Sequence, residues 1–232
     1  MRVRRLHRAL GFVCLLSRLA GSMIKESAVK LIRNAKIQEQ YPGFHCHFSC
    51  EIIVRGRLTV EGQVNVGRRS RIIIEEGCHL VLEGDNYILD DVLISPSQQM
   101  IIGRGVSIQD HCILLGCVYI GSYCLLAPRV FASSGVHAFK GFGKLPPWVM
   151  IRLQDKLQPT EEESILVDSD CWIGINSVLL PGCQLAQGMI VGAGSIVKGS
   201  YRSPYCVIAG APARCIGKRW IYERMQIAST ED

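Results

Sequence analysis

The chain is poor in aromatic side chains and lacks any apolar run long enough to cross a membrane. Phe, Trp and Tyr make up 7% of its 232 residues, although 48% of the residues are hydrophobic. A core built from this chain must therefore consist mainly of aliphatic side chains. A membrane-spanning helix needs roughly 20 uninterrupted apolar residues, and no stretch reaches that length. The sequence thus predicts a cytoplasmic protein, long enough for one sizeable core or two small ones.

Closely spaced cysteine pairs are also missing. None of the eleven cysteines forms a C-x-x-C pair. Four of them share one phase of the six-residue repeat described below: Cys112, Cys124, Cys171 and Cys183. Because a free cysteine packs like a small apolar side chain, this phasing favours reduced, structural thiols over a disulfide framework.

The positive charge is not spread in the way that nucleic-acid binding requires. The net charge is +6, but the first eight residues, "MRVRRLHR", supply four arginines and the remainder mixes both signs. A nucleic-acid surface would need a basic stripe with stacking aromatics, and neither is present. We therefore expect no nucleic-acid partner and favour a discrete anionic ligand.

Residues 1–43 predict a basic N-terminal segment with an amphipathic helix. The basic start and short apolar middle are typical of a signal peptide, but Arg18 interrupts the apolar run. Beyond it, five apolar residues fall on one side of a helix: Ile24, Ala28, Leu31, Ile32 and Ala35. Two interpretations remain open for this helix, packing within an oligomer and peripheral contact with an anionic membrane.

Aliphatic residues recur at every sixth position over much of the chain. The downstream series is Val167, Ile173, Leu179, Leu185, Val191 and Val197, and an upstream series is Ile102, Ile108, Leu114, Ile120 and Leu126. Six residues can form one short strand and one tight bend, so three units make a triangular coil of 18 residues. Stacked coils then bury the aliphatic positions. This pattern predicts a solenoid over residues 44–216, with irregular early coils where "EGDNYILDDVLISPSQQ" breaks the count.

Three segments give the repeat a recognisable character: "WIGINSVLLPGC", "VGAGSIV" and "VIAGAPARCIGKR". With them the chain resembles the hexapeptide-repeat acyltransferases, in the branch of galactoside, maltose and polysaccharide O-acetyltransferases. The resemblance implies a mainly β fold, a left-handed parallel β-helix that works as a homotrimer. It also accommodates an N-terminal helical segment, an inserted loop at about 132–165, and a short C-terminal helix and tail over 217–232.

The same resemblance implies an acetyl transfer from acetyl-CoA to a hydroxyl of a sugar or glycan acceptor. His137, in "SSGVHAF", corresponds to the family's general base, and an imidazole with a pKa near 6.5 suits that role. The backbone N–H of Ile175 corresponds to the donor that stabilises the tetrahedral oxyanion. No metal is expected.

Further site residues follow from the same comparison. Coenzyme A is expected to contact Trp172, Gly174, Gly192, Ala193 and Gly194, with Lys198 and Arg214 near its phosphates. The acceptor is expected to contact Gln109, Asp110 and Ser134.

Three other functions remain as alternatives. The first is an N-acetyltransferase that acts on the amine of a nucleotide sugar, and the second is a β-helix that binds or scaffolds without catalysis. The third is a zinc hydratase with the same fold, which would need three convergent histidines. His111 and His137 could meet, but the sequence offers no evident third ligand.

Overall fold

A computed structural model describes residues 27–136, 146, 149 and 161–219. Helix α1 covers residues 27–40, and the strands that follow wind into seven stacked coils. The first three coils contain β1 (Phe44–Cys46), β2 (Glu51–Val54), β3 (Arg57–Val60), β4 (Val64–Val66), β5 (Arg71–Ile74), β6 (His79–Leu82), β7 (Asn86–Ile88), β8 (Leu93–Ser95) and β9 (Gln99–Ile102).

The later coils use shorter strands. Coils 4 to 7 contain β10 (Ser107–Ile108), β11 (Ile113–Leu115), β12 (Val118–Ile120), β13 (Leu125–Leu126), β14 (Phe131–Ser133), β17 (Ile165–Val167), β18 (Trp172–Ile173), β19 (Val178–Leu179), β20 (Gln184–Leu185), β21 (Ile190–Val191), β22 (Ile196–Val197) and β23 (Ser200–Tyr201). Two additional strands, β15 (Gly135–Val136) and β16 (Glu161–Glu162), interrupt coil 5. The last two strands are β24 (Cys206–Gly210) and β25 (Ala213–Lys218).

Each coil contributes one strand to each of three parallel sheets, which we call A, B and C. Sheet A has the order β1-β4-β7-β10-β13-β18-β21-β24-β25, sheet B runs from β2 to β22, and sheet C runs from β3 to β23. The molecule is therefore a three-sided prism, and the predicted parallel β-helix is confirmed. We call its edges AB, BC and CA, after the sheets between which the chain passes.

The aliphatic positions of the six-residue repeat point into the prism. Every residue of the two predicted series is at most 4% exposed, from Ile102 to Leu126 and from Val167 to Val197. Burial of each such side chain contributes about 2 kcal/mol relative to exposure. The column of Val, Leu and Ile side chains therefore supplies most of the apolar core, as the shortage of aromatics required.

The early coils are longer than the repeat predicts, but they remain in register. Phe44 pairs with Val64, so coil 1 has 20 residues, whereas Ser107 pairs with Leu125, so coil 4 has 18. The segment that breaks the count still forms β7, β8 and β9. The extra residues lengthen strands such as β2 and β6 and do not form a protruding loop.

The two ends of the prism differ. Ile37 of α1 is 8% exposed and joins the core at the first coil. At the other end β25 folds back antiparallel onto β24 and reaches Lys218, two residues beyond the predicted limit of the β-helix at 216. The predicted C-terminal helix falls almost entirely outside the described residues. Within the described part of the chain, no helix is long and apolar enough to span a bilayer.

Candidate active site

The inserted segment leaves the prism at edge BC. β14 ends at Ser133 in sheet B, and the chain resumes the prism with β17, at Ile165, in sheet C. Between them β15 and β16 pair antiparallel, with Gly135 opposite Glu162. His137 follows β15 directly but lies outside the described residues. Its assignment as the general base stays a prediction, and the structure defines the strand pair that leads to it.

A small polar network holds the base of this segment. The Oγ of Ser134 accepts a hydrogen bond of 2.7 Å from the amide of Cys117, and the amide of Ser134 donates to Leu115 O at 3.2 Å. The Sγ of Cys117 donates to Glu162 Oε2 at 3.1 Å. Ser134 is fully buried, so its hydroxyl supports the fold here. Its predicted contact with the acceptor stays a prediction, and this burial does not favour it.

Several predicted residues share edge AB. Gln109 and Asp110 lie there in coil 4, Gly174 and Ile175 in coil 6, and residues 192–194 in coil 7. Backbone hydrogen bonds of 2.8 Å connect the last two levels, from Gly174 N to Val191 O and from Gly194 N to Ile175 O. The structure thus brings the predicted oxyanion donor next to the predicted coenzyme A residues.

The amide of Ile175 differs from those of Arg68 and Asp90 at the same bend of lower coils, whereas the amide of Asp110, like that of Ile175, has no acceptor among the described residues. The amide of Arg68 donates to Asp90 Oδ1 at 2.7 Å, and the amide of Asp90 donates to Asp110 Oδ1 at 2.9 Å. In both cases a carboxylate of the next coil caps the bend. Above Ile175 the next coil offers Ala193, which has no acceptor in its side chain. Among the described residues none accepts a hydrogen bond from the Ile175 amide, so this donor is open to a ligand.

The same ladder gives Asp110 a structural role. Its carboxylate caps the amide of Asp90, and its side chain is half-buried, as is that of Gln109. Asp110 was selected from the sequence as an acceptor contact, and that role stays a prediction. The sequence analysis did not identify Asp90, although the aspartates at 90 and 110 are 20 residues apart, about one early coil.

Close stacking explains two of the predicted glycines. A Cβ on Gly174 would lie 2.7 Å from the amide nitrogen of Ala193, and a Cβ on Gly192 would lie 2.9 Å from Ala209 Cβ. Gly194 has open space around it and a φ of +66°, a conformation that L side chains rarely adopt. The coil geometry alone therefore accounts for these glycines, and their contact with coenzyme A stays a prediction.

The remaining predicted residues do not all lie together. Trp172, half-exposed, stands on the outer face of sheet A, in register with Leu125 below and Ile190 above. Arg214 is exposed on β25 opposite Ala209, close to the Gly192 level. Lys198 is exposed at edge BC. The structure thus groups Trp172 and Arg214 with edge AB and places Lys198 on a different edge.

The buried thiols of Cys112 and Cys183 are unsuited to nucleophilic catalysis. Burial raises the pKa of the Cys183 thiol to about 12 and that of Cys112 to about 11. A thiol with such a pKa carries almost no thiolate near neutral pH. All ten described cysteines are free, and all but Cys46 and Cys215 are buried as packing groups.

Within the described ranges no group of three or more His, Cys, Asp or Glu side chains could hold a metal ion.

The chain is similar to proteins that are named as acetyltransferases. No known family profile matches the chain. The chain is 32% identical over 108 residues to WbbJ of Escherichia coli K12, named for O-acetyl transfer in lipopolysaccharide biosynthesis, covering 47% of this chain and 54% of WbbJ. It is 32% identical over 114 residues to a protein of Lysinibacillus sphaericus named as a macrolide acetyltransferase, covering 46% of this chain and 63% of that protein. The chain thus spans about half to two thirds of the length of these relatives.

Among solved structures, a point mutant of AntD, an N-acyltransferase from Bacillus cereus, has a TM-score of 0.48 and 18% identity. The alignment covers 80% of this chain and 89% of AntD. At this level the likeness carries no argument about the reaction. The stacked coils themselves show the six-residue repeat that the sequence indicated.

Proposed function

We propose that the protein transfers the acetyl group of acetyl-CoA to a hydroxyl of a sugar or glycan acceptor in the cytoplasm. The open amide of Ile175 carries this proposal, because a preorganised backbone donor next to narrow, glycine-lined coils is what an acyl transfer requires. The similarity to proteins named as acetyltransferases supports the same class of reaction. A nucleotide-sugar amine is the nearest other acceptor, and it would make the reaction an N-acetylation.

In the proposed mechanism His137 removes the proton from the acceptor hydroxyl as its oxygen attacks the thioester carbonyl. The carbonyl oxygen becomes an oxyanion, which accepts a hydrogen bond from the amide of Ile175. The intermediate collapses with cleavage of the carbon–sulfur bond, and the imidazolium returns its proton to the departing thiolate. General base catalysis contributes about 10²- to 10⁴-fold, and one oxyanion donor about 10²- to 10³-fold.

The point where the chain leaves the prism before His137 and the position of Ile175 favour an active site shared between subunits. The chain leaves the prism at edge BC, four residues before His137, whereas Ile175 lies at edge AB. The face of sheet B between these two edges is about six residues wide, which is up to roughly 20 Å at 3.3 Å per residue. Both groups must lie within about 3 Å of the reacting atoms. A homotrimer in which His137 of one subunit meets Ile175 of the next would satisfy this requirement.

In that arrangement the coenzyme A arm would lie along edge AB, against Gly174 and residues 192–194, with Trp172 as one wall. Arg214 lies at the level where the phosphates would emerge, and Lys198 of another subunit could complete their neutralisation. Gln109 and Asp110 lie two coils below Ile175 on the same edge, where an acceptor could reach them.

The test is release of free coenzyme A thiol from acetyl-CoA in the presence of glycans, free sugars, serine and an amino-sugar nucleotide. We expect release with a hydroxyl acceptor and its loss, by at least 10²-fold, in His137→Ala. Release with the amine alone would assign N-acetylation. Full activity in His137→Ala would contradict the proposed base, and no binding of coenzyme A would favour a scaffold.

A further inference from the structure

α1 packs against the prism mainly through its polar residues. Asn34 donates from Nδ2 to Cys50 O at 3.0 Å, and Gln38 accepts at Oε1 from the amide of Cys46 at 3.1 Å. Ile37 is the apolar side chain of this contact and reaches the core. The apolar face that the sequence predicted must therefore point elsewhere.

That apolar face is turned to solvent. Leu31 is 54% exposed and Ile32 is 57% exposed, and Ala28 and Ala35 on the same face are exposed as well. Their spacing of three, four and seven residues makes one continuous ridge along α1. Glu39, also exposed, lies beyond the end of this ridge. Within the described chain nothing covers the ridge.

A basic groove of about 670 Å³ runs beside the ridge, between α1 and strands β2 and β3. Its apolar lining includes Val29 and Leu58, and its charged lining consists of Arg33, Lys36 and Arg57, with no carboxylate. The Nε and Nη2 atoms of Arg33 are buried without a hydrogen-bond partner among the described residues. A desolvated guanidinium without an acceptor is costly, so the groove is suited to an anion.

We propose that this groove and ridge form a docking site for the headgroups of an anionic lipid bilayer. The phosphate of a headgroup would accept hydrogen bonds from Arg33, with Lys36 and Arg57 beside it. Leu31 and Ile32 would enter the boundary between headgroups and acyl chains, as in interfacial amphipathic helices. The 26 residues that precede α1 add six Lys and Arg and one Glu, which supports attraction to the same surface.

Two other occupants fit the site less well. A second copy of this chain, itself carrying +6, would bring further positive charge towards a groove that already lacks carboxylates. Free phosphate would satisfy Arg33 but would leave Leu31 and Ile32 in water. A bilayer accounts for the basic groove and the apolar ridge together.

The test is co-sedimentation of the full chain with vesicles of phosphatidylcholine, with and without 30 mol% phosphatidylglycerol. We expect binding to the anionic vesicles, weakened about 25-fold in Arg33→Gln/Lys36→Gln, because each cation near such a surface contributes about fivefold. Leu31→Gln/Ile32→Gln should weaken binding at least tenfold. The matched control is Arg202→Gln/Lys218→Gln, which removes the same charge from exposed positions at the other end of the prism and should change binding less than threefold.

Several outcomes would overturn this proposal. Equal binding to neutral and anionic vesicles, or equal losses in the groove variant and its control, would remove the specific role of the groove. Loss of binding in a variant with Gln at Arg2, Arg4, Arg5 and Arg8, together with full binding in Arg33→Gln/Lys36→Gln, would assign the contact to the preceding segment. Competition by millimolar inorganic phosphate with no effect of Leu31→Gln/Ile32→Gln would indicate a free-anion site. If Leu31→Gln/Ile32→Gln changed the oligomeric mass measured by light scattering without changing vesicle binding, the ridge would be an interface between subunits.

Discussion

Replacing Ile175 by proline removes one backbone N–H and is expected to leave the coil intact. The bend at Ile175 is followed by Asn176, which has a φ of +58°. The chain itself places proline at the same point of other bends, directly before residues with positive φ: Pro128 before Arg129, Pro181 before Gly182, and Pro204 before Tyr205. These three prolines occur on all three edges of the prism, so the bend geometry accommodates the ring.

The expected effect on catalysis is large, whereas the effect on stability is small. Loss of one oxyanion donor costs about 10²- to 10³-fold in kcat, or about 2.7–4 kcal/mol of transition-state stabilisation. The amide of Ile175 has no acceptor within the described structure, so its removal breaks no hydrogen bond there. Proline at a compatible position stabilises a protein by about 0.4–1 kcal/mol, through the entropy of the unfolded chain. The melting temperature should therefore stay the same or rise slightly.

The assay is the steady-state rate of acetyl transfer, measured alongside thermal unfolding. Ile175→Ala retains the N–H and should keep a kcat within a few-fold of wild type. Gln187→Pro makes the same backbone change in the same coil at edge CA, before Gly188, which has a φ of +69°, and should be fully active. A folded Ile175→Pro variant with wild-type kcat would refute the role of this amide.

Three further predictions concern assembly, core and thiols. Co-expression of His137→Ala and Ile175→Pro chains should give mixed assemblies at least tenfold more active than either variant alone. Some of the shared active sites then contain both an intact His137 and an intact Ile175 amide. No recovery of activity in assemblies shown to be mixed would favour an active site within one chain. Ile108→Ala should lower the free energy of unfolding in urea by about 2–5 kcal/mol, whereas Ile216→Ala, at a position 68% exposed, should change it by less than about 0.5 kcal/mol. Because burial raises the pKa of Cys183 to about 12, its reactive thiolate becomes abundant only as the pH approaches 12. At pH 8, Cys183→Ser should therefore leave labelling of the native protein by a thiol reagent unchanged, whereas Cys215→Ser, at an exposed position, should lower it by one thiol per chain.

The interior of the prism was predictable because the repeat has a period that no other common fold produces. Leu114 and Leu185, for example, lie 71 positions apart in the sequence, yet both occupy the inward phase and both are buried. The six-residue repeat starts again in a new phase after the inserted segment, so it could not be followed in the sequence from Val130 to Val167. The early coils were less predictable, since longer strands such as β6 alternate inward and outward residues, with Leu80 and Leu82 both fully buried.

The orientation of α1 could not be predicted from its periodicity. The apolar side of an amphipathic helix usually faces the core, and the sequence shows that Leu31 and Ile32 share such a side. The opposite side carries Asn34 and Gln38, whose amides find backbone partners only where the exposed end of the first coil presents them. Those partners exist only in the folded prism. The groove beside α1 was missed for the same reason, although Arg33 and Lys36, at i and i+3, were visible as a basic pair.

A repeat architecture also changes how a functional position can be recognised. Because stacked coils place equivalent residues above one another, every bend on edge AB meets the same backbone environment. A carboxylate from the following coil caps the amide at residues 68 and 90, and a proline removes it at 128. The bends at Asp110, Ile175 and Ala193 have neither of these features, and their amides have no acceptor within the described structure. An exposed amide of this kind is satisfied by solvent until a ligand replaces the water. What distinguishes Ile175 is its level, directly above the coil that carries the inserted segment, so its proposed role as oxyanion donor depends on His137 and is tested by Ile175→Pro.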